Sequence, residues 1–263
     1  MKCRVFSYIV LAGLLAACGS DTIDEPDKPT PNDPTKPSDI VANWTVYYEE
    51  NSWQNPRWQN LVNNSAECLD WKDIHSTNLI AHDSHDANHE RWQWVVNYPM
   101  TEESDVVNHI ERFIKWTVMP KSDYDGLSGM DVFSATLRGD DRDFSIQYTY
   151  NPNYPISTTS EWAIGFSEYR FIFNGDNLDI PDGYSDWVNK HQKYLVSSLE
   201  GANNISYKWE MKVSSLTDEI IDNSILPFIH FRKNGDPASQ SYSRFEVMVT
   251  QCNSGVSRTY ECN

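Results

Sequence analysis

Alternation of apolar and polar residues is the clearest pattern along the chain. From Ile205 to Val213, apolar and polar side chains alternate without interruption, and a period of two predicts an antiparallel strand with one face toward solvent. Similar runs predict further strands at 44–49, 91–98, 132–138, 144–150, 162–173, 225–231 and 244–251. Turn residues such as Asn151-Pro152 and Asn174-Gly175 separate several of these runs.

Two stretches repeat their apolar side chains at helical spacing instead. One runs from Val106 to Ile114, and the other runs from Trp187 to Leu199 and ends before Gly201. About eight strands with about two helical insertions predict a mostly-β protein, either an antiparallel β-sandwich or a jelly roll. An α+β domain with both helices on one sheet is the alternative. No internal repeat is evident in the sequence.

The chain begins with the features of an exported protein. Lys2 and Arg4 precede an apolar stretch that is about half as long as a membrane-spanning helix, which predicts a signal peptide over residues 1–17. Leu15-Ala16-Ala17-Cys18 resembles the lipobox of bacterial lipoproteins. The resemblance implies cleavage before Cys18, a diacylglyceryl thioether on its sulfur and an acylated new N-terminus. In that family an Asp directly after the lipidated Cys favours retention in the inner membrane. Residue 19 is Gly, so the resemblance implies the outer membrane. Ordinary secretion without lipidation is the alternative.

Residues 18–41 and 42–263 differ sharply in composition. The first segment is rich in Pro and Asp and predicts an extended tether, whereas the second contains all ten Trp and predicts a single β-rich domain. The whole chain has 38 acidic and 21 basic side chains, a formal charge of -17, and nearly all of that excess belongs to the domain. This charge excludes a general nucleic-acid binder and favours an uncharged glycan, a basic protein surface or bridging cations over a polyanion.

Three cysteines remain after the signal peptide and Cys18 are set aside. An oxidising compartment favours one disulfide among them. Cys252 and Cys262 lie close together in sequence, so this pair is the predicted disulfide. A bond from Cys68 to either of them is the alternative.

Histidines cluster in one short acidic segment. His82, His85 and His89 lie within eight residues, and the last two have the i, i+4 spacing of a metal-binding pair on a helix. The segment is a candidate site for a divalent cation, and no other cofactor is predicted. A solvated acidic loop without a metal ion is the alternative.

Three residues far apart in sequence form a candidate catalytic site. Arg138, the run Phe228-Ile229-His230 and the late Tyr242 follow one another in an order that resembles jelly-roll polysaccharide lyases of the alginate lyase type. The resemblance implies bond cleavage by β-elimination, with Arg138 neutralising a uronate carboxylate and with His230 and a tyrosine as base and acid. Phe228 stands where that family has Gln.

Aromatic residues beside amides give the third candidate site. Trp53, Trp58, Tyr150 and Tyr154 lie in or near Asn-rich stretches, and such neighbours suit the stacking and hydrogen bonding of sugar rings. Core packing is the alternative. The sequence thus favours an envelope-exposed binding or adhesive module for a glycan or a surface protein. A polysaccharide lyase and an accessory lipoprotein of a secretion or pilus system are the alternatives.

Overall fold

The computed structural model describes residues 40–53, 65–86, 88–119, 130–152, 161–173, 181–231 and 241–262. All of them belong to the second of two units of the chain, Asn32–Asn263. The predicted signal peptide, Cys18 and the tether up to residue 39 lie outside the described residues.

Ten strands form one continuous antiparallel sheet, which confirms the prediction of a mostly-β antiparallel fold with helical insertions. The strands are β1 (Val41–Trp53), β2 (Leu79–Asp86), β3 (His89–Glu102), β4 (Met130–Gly139), β5 (Phe144–Tyr150), β6 (Trp162–Phe171), β7 (Leu195–Glu200), β8 (Asn204–Val213), β9 (Tyr242–Gln251) and β10 (Val256–Cys262). Their order across the sheet is β2-β3-β1-β4-β5-β10-β9-β6-β8-β7.

The described helices are short and pack on one face of the sheet. They are α1 (Ala66–Ile74), α2 (Glu103–Ile114), α3 (Tyr184–His191), α4 (Asp218–Ile220) and α5 (Leu226–His230), with a π-helical segment, Ile221–Ile225, between the last two. Trp71 of α1 and Phe113 of α2 contact Tyr48 of β1, and Trp187 of α3 contacts Phe166 of β6. We call this side of the sheet the inner face and the opposite side the outer face. Within the described residues, no helix is long and apolar enough to cross a membrane.

Two of the predicted elements differ from the structure. The apolar run 225–231 is helical rather than a strand, because Ile221, Ile225, Phe228 and Ile229 share one helical face and Pro227 suits a helix start. The predicted helix 187–199 ends at His191, and its last residues form the edge strand β7. The sequence pattern also missed α1, β2 and β10.

The two halves of the described sheet repeat one topology. In each half a strand is followed by a helix, two strands, a second helical segment and two more strands. The halves have the corresponding orders β2-β3-β1-β4-β5 and β7-β8-β6-β9-β10, and they join through β5 and β10 in the middle of the sheet. A pseudo-twofold axis between these two strands therefore relates the halves.

The hydrophobic cores of the two halves match residue by residue. Phe113 of α2 and Phe228 of α5 each lie at the centre of a cluster of five aromatic rings. The partners of Phe113 are Tyr48, Trp71, Trp94, Trp116 and Phe133. Those of Phe228, in the same order, are Phe166, Trp187, Trp209, Phe231 and Phe245. The strand registers agree, since Tyr48 pairs with Trp94 and Phe166 pairs with Trp209.

Candidate functional site

The outer face of the sheet differs from the rest of the domain in charge. Strand alternation and pairing place five cationic and six anionic side chains on it. The cations are Arg91, Arg138, Lys208, Lys212 and Arg244, and the anions are Glu49, Asp83, Glu102, Glu210, Glu246 and Glu261. Between them stand hydroxyl and amide side chains such as Thr45, Asn97, Thr136, Gln147 and Thr149. The outer face is thus almost neutral, whereas the chain as a whole has a formal charge of -17.

Exposure on this face is uneven. Small side chains such as Ala163 and Thr250 are buried. Larger side chains stand out toward solvent, among them Tyr47, Tyr169 and Tyr242 at 39%, 36% and 47% exposure. The exposed tyrosine rings of the outer face therefore lie on β1, β6 and β9, which are not edge strands.

Strands β6 and β9 carry three neighbouring aromatic rings, Tyr169, Phe171 and Tyr242, which we call the tyrosine patch. The ring of Tyr242 lies 6.0 Å from that of Tyr169 and 5.8 Å from that of Phe171. Phe171 pairs with Tyr242 across β6 and β9, and Tyr169 pairs with the exposed Arg244. The patch combines flat apolar rings, two phenolic hydroxyls and a guanidinium.

The pseudo-twofold axis places a second aromatic group in the other half of the sheet. Trp53 occupies in β1 the position that Phe171 occupies in β6, since each pairs with the first residue of the fourth strand of its half. The indole of Trp53 stacks on the imidazole of His89 with 4.6 Å between the ring centroids. Trp53, a predicted binding residue, thus lies on the outer face.

A hydrogen-bonded network fixes the side chains between Trp53 and the sheet centre. Glu49 accepts hydrogen bonds from Arg91, Asn51 and Gln93 at 2.5–3.0 Å. Burial alone would raise the pKa of Glu49, but these donors outweigh burial and hold the pKa below its usual value. Glu49 is therefore ionised, and its carboxylate oxygens already accept hydrogen bonds from neighbouring side chains.

The three residues of the predicted lyase site do not meet in one groove. Arg138 lies on the outer face of β4 with its guanidinium over the ring of Tyr47. Tyr242 lies three strands away on β9, which is about 14 Å of sheet. His230 ends helix α5 on the inner side and its Nε2 lies 2.9 Å from a carboxylate oxygen of Asp143. The expectation of a strand-borne His230 is also wrong, because its segment is helical.

The histidine segment forms a hairpin and not a helix. His85 and His89 lie on β2 and β3, so the i, i+4 helical pairing predicted for them does not exist. The imidazole of His82 stacks on Trp92 at 3.5 Å and its Nε2 lies 3.7 Å from Glu90. The side chain of His85 lies outside the described residues. Among those described, no three His, Cys, Asp or Glu side chains are placed to hold a metal ion.

The remaining predicted binding aromatics do not add to the outer face. Tyr150 lies on the inner side of β5 and packs against the core. Trp58 and Tyr154 lie outside the described residues.

The predicted disulfide between Cys252 and Cys262 is absent from the structure, which joins none of Cys68, Cys252 and Cys262 in a disulfide. Cys252 lies in the turn before β10 and Cys262 is the last residue of that strand. The seven residues from Val256 to Cys262 span about 20 Å, whereas a disulfide requires α-carbons within about 7 Å. Closeness in sequence failed as a guide because an extended strand separates the two thiols.

A pair of buried carboxylates on the inner face was not predicted. Glu50 of β1 and Glu168 of β6 are 2% and 1% exposed and occupy equivalent positions, since they pair with Phe133 and Phe245. Lys72 of α1 approaches both oxygens of Glu50, at 2.8 and 2.7 Å. Each half of the domain thus buries a glutamate beneath its first helix.

The partners of the two glutamates differ between the halves. Glu168 is held by Arg170 and by the hydroxyl of Tyr184. Burial raises the pKa of Glu50 and of Glu168, and their cationic and hydroxyl partners oppose the shift only in part. These pairs lie under helices, away from the outer-face aromatics, and they act on stability.

Fold and candidate site together define a class: a duplicated ten-stranded antiparallel sheet with helices on one face and a nearly neutral, partly aromatic surface on the other. Comparison of the chain with protein-family models, curated proteins and solved structures gives no match in any of the three. The function therefore has to be argued from the residues of this chain.

Proposed function

We propose that this protein is a lipid-anchored binding module of the bacterial outer membrane that binds an uncharged glycan on the outer face of its sheet. The observation that carries the proposal is the tyrosine patch, whose exposed rings stand on a face with balanced charge although the protein is acidic. Sugar rings stack their C–H faces on aromatic rings while their hydroxyls take hydrogen bonds. A polyanion would have to approach against the net charge of the whole domain.

The tyrosine patch supplies both kinds of contact. Tyr169 and Tyr242 offer rings and phenolic hydroxyls, and Arg244, on the neighbouring position of β9, donates to Glu246 at 2.5 Å. Since Glu246 neutralises this guanidinium, the patch does not select for an anionic sugar. Asn204 and Ser206 on β8 pair with Phe171 and Tyr169 and add amide and hydroxyl groups beside the rings.

Removal of the two exposed rings tests the glycan proposal. The double variant Tyr169→Ala/Tyr242→Ala is expected to bind at least about tenfold more weakly on a glycan array and in a titration with the best array ligand, because exposed aromatic anchors dominate such contacts. Tyr169→Phe/Tyr242→Phe should retain the stacking part of the affinity.

A matched control distinguishes the patch from general exposed apolar surface. Ile74 of α1 is 72% exposed and belongs to the other side of the sheet, so Ile74→Ala should bind like the parent chain. Undiminished binding by a folded double alanine variant would disprove the placement of the site. Absence of any glycan ligand on the array would favour a surface protein as the partner.

The anchoring part of the proposal rests on Leu15-Ala16-Ala17-Cys18 and has its own test. In a Gram-negative host, the parent chain should fractionate with the outer membrane and gain the mass of a diacylglyceryl group and an amide-linked acyl chain. Cys18→Ser should leave the protein without these lipids, since no other sulfur adjoins the cleavage site. Full membrane retention of the Cys18→Ser variant without added lipid would contradict lipid anchoring.

A further inference from the structure

The two edges of the ten-stranded sheet are protected differently. Edge strands expose unpaired backbone groups, and proteins discourage unwanted pairing there by placing charged side chains on the edge. The pseudo-twofold axis makes β2 and β7 equivalent, since each begins with a leucine that pairs with a core tryptophan and each has a register shift at that point. The two edges can therefore be compared position by position.

Strand β2 has charged and ionisable side chains where β7 has none. Asp83 of β2 corresponds to Leu199 of β7, and His82 corresponds to Ser198. The sequence of β7 is Leu-Val-Ser-Ser-Leu-Glu, whose one charge stands at the last residue. The half that contains β2 thus protects its edge strand against pairing with another chain, whereas the half that contains β7 does not.

The unprotected edge is also apolar and exposed. Val196 and Leu199 are 65% and 61% exposed. Among the described residues β7 pairs with β8 alone, so no described strand pairs with the backbone donors and acceptors on its other side. Exposed apolar residues on such a strand favour addition of a β-strand from another chain.

Charges at the two ends of β7 indicate which strand would pair with it. Lys193 lies just before β7 and Glu200 is its last residue. When two copies of β7 pair antiparallel, the Lys193 end of one copy meets the Glu200 end of the other at both ends of the ladder. The corresponding residues at β2 are Thr77 and Ser84, so the same complementarity is missing from that edge.

We propose that β7 is the interface of a homodimer, in which two copies of this chain pair their β7 strands antiparallel about a twofold axis and continue the sheet from one copy into the other. The pairing is isologous, because the same edge serves both copies, and it closes at two copies because the second edge, β2, is protected. The proposal does not depend on glycan binding or on the tyrosine patch.

The mass of the chain in solution tests this interface. The full chain with Cys18→Ser, which removes lipid as a cause of association, should show a dimer by light scattering that dissociates on dilution. Val196→Lys should weaken dimerisation by at least about tenfold, because it places two like charges beside the twofold axis. Leu199→Lys should weaken it by a similar amount, because it replaces an apolar contact and places a like charge beside Lys193 of the other copy. Both side chains are exposed, and circular dichroism confirms that the variants fold.

The internal repeat supplies the matched control. Ile80 occupies in β2 the position of Val196 in β7 and is 61% exposed, so Ile80→Lys should leave the dimer intact. A monomeric parent chain at about 100 µM would overturn the proposal, and so would a dimer that survives both β7 variants. Equal loss on Ile80→Lys, or particles that keep growing with concentration, would show that β7 pairs with β2 of the next copy instead.

Discussion

Phe113→Ala is expected to lower the free energy of unfolding by about 3–5 kcal/mol, and Phe228→Ala by nearly the same amount. Both phenylalanines are almost completely buried, at 1% and 0% exposure, and each touches five aromatic rings at equivalent positions of its half. Removal of either ring leaves a cavity that its rigid neighbours fill only in part. Denaturant unfolding followed by tryptophan fluorescence measures both values.

The two variants should lose similar amounts of unfolding free energy, because the two phenylalanines occupy equivalent positions of the duplicated fold. Ile74→Ala, at an exposed position of α1, should cost less than about 0.5 kcal/mol. A cost below about 1 kcal/mol for one of the two phenylalanines, with the full cost for the other, would show that only one half has a tightly packed core. A destabilising variant in either half should lower the free energy of unfolding of the whole domain, since β5 and β10 join the halves into one sheet.

The duplication illustrates why part of this fold could not be predicted from sequence. Some equivalent core positions have the same residue type in both halves, as do Trp71 and Trp187. Others differ, since Phe166 stands at the position of Tyr48 and Phe231 at that of Trp116. Packing needs rings of similar size in one place rather than identical residues. A repeat maintained by shape therefore leaves few identities in the sequence.

The strands that were predicted correctly are those in which polarity alternates. In β8, Trp209 and Met211 face the core while Lys208 and Glu210 face outward, which is the pattern that period-two reasoning detects. The edge strand β7 lacks it, because most of its side chains are exposed whichever way they point. Period-two patterns do not predict such an edge strand, because its side chains are largely exposed on both faces of the sheet.

The candidate site was predicted only in part, for a related reason. The order of Arg138, His230 and Tyr242 predicts a catalytic role for Tyr242, yet this residue lies in the tyrosine patch. The alternating pattern predicts only a strand for Tyr169 and Phe171, the other two members of the patch. In β6 the inner face ends in Glu168 and Arg170 while the outer face ends in aromatics, so the polar and apolar faces exchange character along the strand. Periodicity does not show which face is buried where this exchange occurs.

Lys72→Met is expected to lower the free energy of unfolding by about 3 kcal/mol near neutral pH, because it leaves the carboxylate of Glu50 buried without its cation. The value lies at the low end for a buried pair since Lys72 itself remains 26% exposed. Replacement of both partners, in Glu50→Gln/Lys72→Met, should recover most of the loss, because position 50 then no longer buries a charge. Thermal or denaturant unfolding of the three proteins checks this order.

The loss should also depend on pH with a definite sign. Burial already raises the pKa of Glu50 above its usual value of 4.5, and removal of Lys72 takes away the charge that opposes this shift. The folded variant then keeps the proton at a pH where the unfolded chain has released it, so its stability falls as the pH rises above the unfolded pKa. The deficit of Lys72→Met should therefore be smaller at about pH 5 than at about pH 8.

An exposed ion pair provides the control for this dependence. Lys115 lies 3.4 Å from Glu111 on the surface of α2, and Lys115→Met should cost about 0.5 kcal/mol or less. A deficit for Lys72→Met that is as small as this, or one that grows on acidification, would mean that Glu50 reaches solvent once Lys72 is gone. A deficit that disappears on acidification and in the double variant identifies the buried charge as its cause, because lost packing of the lysine stem would persist under both conditions.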